Sequence, residues 1–227
     1  MDKSDVSVLF LGKAEDATCQ RALEFCQRSF RSVAFALGKW GDPAPPEFEA
    51  WSGDLVVSYL SRWVVPDRLI RRARLAAINF HPASPEYPGI GCNNFALYEG
   101  AAEYGATCHH MAATVDTGPI IAVRRFPIAD DDTVASLLDK TYQQQYELFE
   151  DVLAIVLRGE PLPESPERWT RRPFTRREFN ELGRIDPGMD AEEIARRVRA
   201  TSFGPWQPRI ELAGYVFELR PAEPAGR

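Results

Sequence analysis

The chain has 227 residues, 44% of them hydrophobic, with 33 acidic against 27 Lys and Arg side chains and a formal net charge of −6. That length can bury a sizeable core, and the acidic balance argues against a nucleic-acid partner, which needs many basic groups facing phosphates. No apolar run approaches the roughly 20 residues that cross a bilayer, and the start, Met1-Asp2-Lys3-Ser4-Asp5, lacks a signal peptide's charged-then-apolar order, so a cytoplasmic protein with no membrane partner is expected.

Residues 6–12, Val-Ser-Val-Leu-Phe-Leu-Gly, form an apolar run of strand length, and 15–30 carry apolar residues at helical spacing. Short apolar runs follow at 32–37, 54–60 and 75–80, with a helix expected over 66–74. This alternation predicts an α/β fold, a twisted and mostly parallel sheet with helices on both faces. Residues 106–111 and 119–123 read as further strands, and 132–158 as one long amphipathic helix ending before Gly159.

Residues 160–173 hold four prolines and little periodicity, which suits a connecting segment. Beyond it, Asp190 and Glu193 resemble a capping box opening a short helix, and 207–212 with 215–219, joined through Ala213-Gly214, predict a hairpin. The division expected is a main domain over 1–160 and a small appendage over 161–227. Cys19, Cys26, Cys92 and Cys108 include no close CxxC pair, and His109 and His110, adjacent on a strand, point to opposite faces, so no metal site is expected.

Asn79-Phe80-His81-Pro82 ends a predicted buried strand, where the carboxyl ends of a parallel sheet form a ligand crevice. Two residues apart on a strand, Asn79 and His81 share a face and can address one substrate. Taken singly, Asn79 can tie down a turn, His81 can be a hydrogen-bonded buried ring, and Asp116 can shape an Asx-turn before Gly118. Read together, Asn-x-His-Pro, then Pro85-x-Tyr87-Pro88-Gly89-Ile90-Gly91, Gly105-Ala106-Thr107 and Asp116-Thr117-Gly118-Pro119-Ile120 resemble the folate-dependent formyltransferases over about residues 6–158.

The resemblance implies a Rossmann-like sheet, 10-formyltetrahydrofolate as co-substrate, and Asn79, His81 and Asp116 as the catalytic set. It further implies that the segment from Ser58 to Pro66 lines the folate site, so Ser58, Tyr59, Leu60, Trp63, Val64 and Val65 are candidate contacts, with backbone groups meeting the pterin. Core strand packing is the alternative for Val56, Val57 and Leu60.

Within that family, the wording Pro-Glu-Tyr-Pro-Gly-Ile-Gly-Cys-Asn-Asn-Phe-Ala and Cys-His-His-Met is similar to the nucleotide-sugar N-formyltransferases. The acceptor implied is the amine of a nucleotide-linked amino-dideoxy sugar, the setting is lipopolysaccharide O-antigen biosynthesis, and a homodimer is expected. Methionyl-tRNA formyltransferases usually carry Leu-Leu-Pro and Arg-Gly where this chain has Ala83-Ser84-Pro85 and Pro88-Gly89, and the chain is short for their C-terminal domain. Tyr87, Gly89, Ile90 and Asn93 are candidates for the sugar side. Arg171, Arg172 and Arg176, within an arginine-rich stretch that also holds Trp169 and Phe174, are candidates for a nucleotide diphosphate, the alternative being a solvated basic surface. Formyltetrahydrofolate hydrolysis and ligand binding without turnover are the competing functions.

Overall fold

The structure, a computed structural model, describes residues 4–220. In chain order the elements are β1 (Ser4–Lys13), α1 (Ala17–Ser29), β2 (Phe30–Gly38), α2 (Glu47–Ala50), β3 (Gly53–Tyr59), α3 (Asp67–Ile70), β4 (Ala73–His81) and α4 (Cys92–Glu99). They continue as β5 (Glu103–His110), β6 (Ile120–Pro127), α5 (Val134–Leu157), α6 (Arg176–Leu182), β7 (Arg184–Ile185), α7 (Ala191–Thr201), β8 (Arg209–Leu212) and β9 (Tyr215–Glu218). The main sheet runs β2-β1-β3-β4-β5-β6; its first four strands are parallel, and β5 and β6 turn antiparallel. The α/β reading therefore holds.

Helix boundaries follow local chemistry. Glu15 has φ of 57° and cannot begin a helix, so α1 starts behind Asp16, whose side chain accepts from the Cys19 amide. The long α5 opens on a reciprocal capping pair, Thr133 and Ser136. The helix expected over 66–74 shrinks to the single turn of α3, because residue 73 already pairs with Gly53 in the β3–β4 ladder. Nearby, the Arg72 guanidinium bonds the carbonyls of Phe48, Glu49 and Trp51.

Three helices had no sequence-based expectation: the single turn of α2, and α4 and α6. α4 buries Asn93 through Leu97 in succession and so lacks a polar stripe to reveal its period, while left-handed Gly91 and Gly100 mark its ends. α6 begins at Thr175 with a capping box to Glu178. The expected terminal hairpin is β8–β9, which joins β7 in a small second sheet.

One face of the main sheet packs Phe10, Tyr59, Phe80 and Cys108 with Phe149 and other α1 and α5 side chains; the other packs Leu9, Leu11, Val56 and Ala77 with Phe48 and Leu69. A third cluster joins Tyr87, Phe95 and Tyr104 to Phe174, Phe179, Leu182 and Ala200, so the segment after residue 160 shares a core with α4. Among the described residues no helix is long and apolar enough to cross a membrane.

Candidate active site

Strand register fixes which side chains can meet. Ser58 pairs with Asn79 across β3 and β4, and Asn79 with His109 across β4 and β5, so the three stand side by side on one face of the sheet. His81, two residues beyond Asn79, projects from that same face at the carboxyl end of β4. Here the sheet changes from parallel to antiparallel neighbours, and the loop after β5 folds back to bring in Asp116.

The carboxylate of Asp116 is 4% exposed and sits between two imidazoles: Oδ2 is 3.3 Å from His81 Nδ1 and Oδ1 is 3.3 Å from His109 Nε2. The Gly89 amide donates to Oδ2 at 2.9 Å. Burial alone would push this carboxyl up, but the two rings and the Gly89 amide outweigh it and leave it below its ordinary value. Asp116 also holds a left-handed backbone, φ 51°, a conformation that aspartate tolerates better than most residues.

His81 Nε2 lies 3.0 Å from the Tyr87 carbonyl, which can only accept, so a proton resides on that nitrogen. His109 Nδ1 likewise faces the His110 carbonyl at 2.8 Å and donates to it. With Nδ1 protonated, His109 turns Nε2 toward Asn79 Nδ2 at 3.1 Å, and the same nitrogen stands 3.3 Å from Asp116 Oδ1. One Asn79 N–H is thereby engaged and the other stays available to a ligand oxygen. His109 is the member of the cluster that motif reading missed; its pairing opposite Asn79 was the signal, and it requires knowing the β4–β5 register.

These groups line a cavity of about 510 Å³ together with Ser58, Leu60, Trp63, Val64 and Val65 on one side and Gly89, Ile90, Asn93 and Phe179 on another. The backbone amides of Val64 and Val65 donate to no backbone carbonyl among the described residues, which leaves main-chain polar groups on that wall to match a ligand's edge. At the mouth, Trp40 is 64% exposed, with the Arg62 guanidinium 5.1 Å and the Arg176 guanidinium 5.9 Å from its ring centroid. Neither guanidinium has a carboxylate partner among the described residues.

Four expected contacts lie elsewhere. Tyr59 faces away from Ser58 by strand alternation and is wholly buried against Phe10, Phe80 and Phe149, so it is a core residue. Tyr87 is buried beside Tyr104 and Phe174, and only its carbonyl reaches the cluster. Arg171 is paired with Glu99. Arg172 is paired with Glu178, whose carboxyl this hydrogen bond holds down to about 2. The aromatic rings of the same stretch are also committed internally: Phe174 stacks on Phe95 at 3.8 Å, and Trp169 packs behind the two histidines.

The sequence pattern of the formyl transferase family matches residues 46–153, which contain every member of this cluster. Over those residues the chain is similar to a formyl transferase domain. It is 32% identical over 163 residues to the methionyl-tRNA formyltransferase of Listeria monocytogenes, covering 70% of this chain and 51% of that protein. The chain thus spans about half the length of these relatives. It is 27% identical over 190 residues to the GDP-perosamine N-formyltransferase of Brucella melitensis, covering 82% and 72% of the two chains.

Solved structures share the formyltransferase fold. A sugar N-formyltransferase from Shewanella superposes with a TM-score of 0.76 at 19% identity, over 99% of this chain and all of that one. An N-formyltransferase from Helicobacter canadensis, determined with folinic acid and dTDP-3-aminofucose, gives 0.70 at 18% identity over 92% and 85%.

Proposed function

We propose that this chain transfers the formyl group of 10-formyltetrahydrofolate to the amine of a nucleotide-linked amino-dideoxy sugar. The observation that carries the reading is the Asn79–His81–His109–Asp116 cluster, its two imidazoles and carboxylate buried, on the floor of a cavity that has unpaired guanidiniums at its mouth. Attack of the amine on the formyl carbon forms one C–N bond and places negative charge on the formyl oxygen and positive charge on the attacking nitrogen. The free N–H of Asn79 serves the oxygen. His81 takes the amine proton at Nδ1, the ring nitrogen that the Tyr87 carbonyl does not engage, and Asp116, with Oδ2 3.3 Å from that nitrogen, compensates the charge the ring then carries. Breaking the bond to the folate nitrogen returns one proton to that nitrogen, so the transfer is balanced.

The unpaired backbone beside Ser58, Leu60, Trp63, Val64 and Val65 suits a pterin edge. Gly89, Ile90 and Asn93 stand across the cavity, where the sugar amine would enter. For the nucleotide, Arg62 and Arg176 supply charge for a diphosphate and Trp40 an exposed ring for a base. Chemistry is assigned to residues 1–160, with 161–227 as an appendage. A second copy of the chain is the expected partner, covering the exposed Leu212, Tyr215, Val216 and Phe217 of the β8–β9 hairpin.

The higher identity to methionyl-tRNA formyltransferases favours charged tRNA as the competing acceptor. Specificity constants for a nucleotide-linked 4-amino- or 3-amino-dideoxyhexose, the free amino sugar and methionyl-tRNA, at one folate concentration, decide between them. The nucleotide-linked sugar is expected to be far better than the other two. Equal rates with free sugar would remove the nucleotide from the reading, and preference for charged tRNA would replace the acceptor class.

A further inference from the structure

The proline-rich segment before α6 passes close behind the cluster and is tied down along its length. The Ser165 amide donates to the Ile120 carbonyl at 2.9 Å, Glu167 pairs with Arg125, and the Phe174 amide donates to Pro88 at 2.8 Å. Between these anchors, the Trp169 indole lies edge-on to both histidines, with centroid separations of 5.9 Å to His81 and 5.0 Å to His109 and interplanar angles of 68° and 88°. Its Nε1–H donates to the Gly118 carbonyl at 2.8 Å. Trp169 is not among the residues that line the cavity.

The Gly118 bond has a further consequence. A Cβ on Gly118 would fall 1.8 Å from the His110 carbonyl oxygen, so the backbone of residue 118 is packed directly against the group that accepts the His109 Nδ1 proton. The indole thus touches the His109 ring on one side and, through Gly118, braces the acceptor that sets its tautomer. That tautomer decides whether Nε2 can accept from Asn79.

We propose that Trp169 is a positioning residue for this reaction: it holds His109 in the Nδ1–H tautomer, and His109 in turn holds the Asn79 amide with one N–H toward the formyl oxygen. The role is indirect, since Trp169 touches neither reactant. It rests on the formyl-transfer reading for its kinetic consequence but not for its structural one. A displaced donor of this kind can cost up to about a hundredfold in rate.

The test compares Trp169→Leu with Trp169→Phe, the latter keeping an aromatic edge but losing the indole N–H. In the free protein, imidazole ¹⁵N chemical shifts are expected to report a single Nδ1–H tautomer of His109, with Trp169→Leu mixing the two forms and Trp169→Phe mixing them less. In turnover with 10-formyltetrahydrofolate, Trp169→Leu should lower kcat at least about tenfold, with KM for both substrates within about twofold, and Trp169→Phe should recover part of the loss. An unchanged tautomer in Trp169→Leu would overturn the proposal whatever the activity, as would an unchanged kcat per folded molecule. A wild-type protein inactive in formyl transfer but showing the tautomer shift would instead fault the functional reading and leave the positioning contact standing.

Discussion

The floor of the cavity and the arginine-rich segment after α5 are both dense in functional residue types, yet only the floor places nearly all of them together. On the floor, Ser58, Asn79 and His109 are neighbours by strand register, and nothing but the sheet is needed to align them. In the arginine-rich segment, each guanidinium is free to find its own partner; Arg171 and Arg172 close on Glu99 and Glu178, and only Arg176 reaches the cavity. A strand dictates where its side chains point, whereas a loop lets neighbouring carboxylates decide.

The sharpest break of that contrast lies on the floor. His81→Asn, Asp116→Asn and Asn79→Ala are each expected to lower formyl transfer at least about a hundredfold while the protein stays folded. Near-normal turnover in the purified His81 or Asp116 variant would remove the assignment. Asp116→Asn carries a second signature in stability. The native carboxyl titrates below its unfolded counterpart, so its contribution is complete above about pH 4 and is lost as pH falls through the lower native value. Denaturation midpoints measured from neutral to acidic pH should therefore fall less steeply for Asp116→Asn than for the wild type.

The arginines give a smaller effect with opposite expectations for neighbouring residues. Arg62→Ala and Arg176→Ala should each raise KM for the nucleotide-linked acceptor about tenfold, with folate KM nearly unchanged, and added salt should weaken acceptor binding in the wild type more than in the variants. Arg171→Ala and Arg172→Ala should leave acceptor KM within about twofold, since their charges are already compensated and lie outside the cavity. Substrate titrations at two ionic strengths separate the cases. A large effect at Arg172 with none at Arg62 would return the diphosphate to the segment where composition alone had put it.

How much of this was legible follows from the same distinction. The β1–α1 opening, the long α5 and the terminal hairpin carried their own periodicity and turn signals. Asn79, His81 and Asp116 were visible through the motifs that hold them, and Ser58 and Trp63 through the resemblance of the segment that runs on from the end of β3. His109 was not assigned a role, because its pairing with Asn79 depends on a long-range antiparallel register. α4 was invisible because burial on nearly every side erases its period. Trp40 and Arg62 meet across 22 residues of chain, a contact no local pattern encodes.

The smallest effect tests the register argument itself. Tyr59 lies inside the segment expected to line the folate site, yet the residue before it points to the cavity and Tyr59 points into the opposite core. Its hydroxyl is buried with no hydrogen-bond partner in the structure, and burial pushes the phenol above its ordinary value. An unpaired buried hydroxyl costs roughly 1–3 kcal/mol, so Tyr59→Phe, which keeps the ring contacts with Phe10, Phe80 and Phe149, should leave stability unchanged or raise it by about 1 kcal/mol. Folate KM and kcat should stay within about twofold, because no cavity surface is altered. Urea unfolding and steady-state kinetics on the one variant suffice. A severalfold rise in folate KM with stability intact would place the phenol in the ligand's path and reverse the face assigned to β3, and with it the alignment of Ser58, Asn79 and His109.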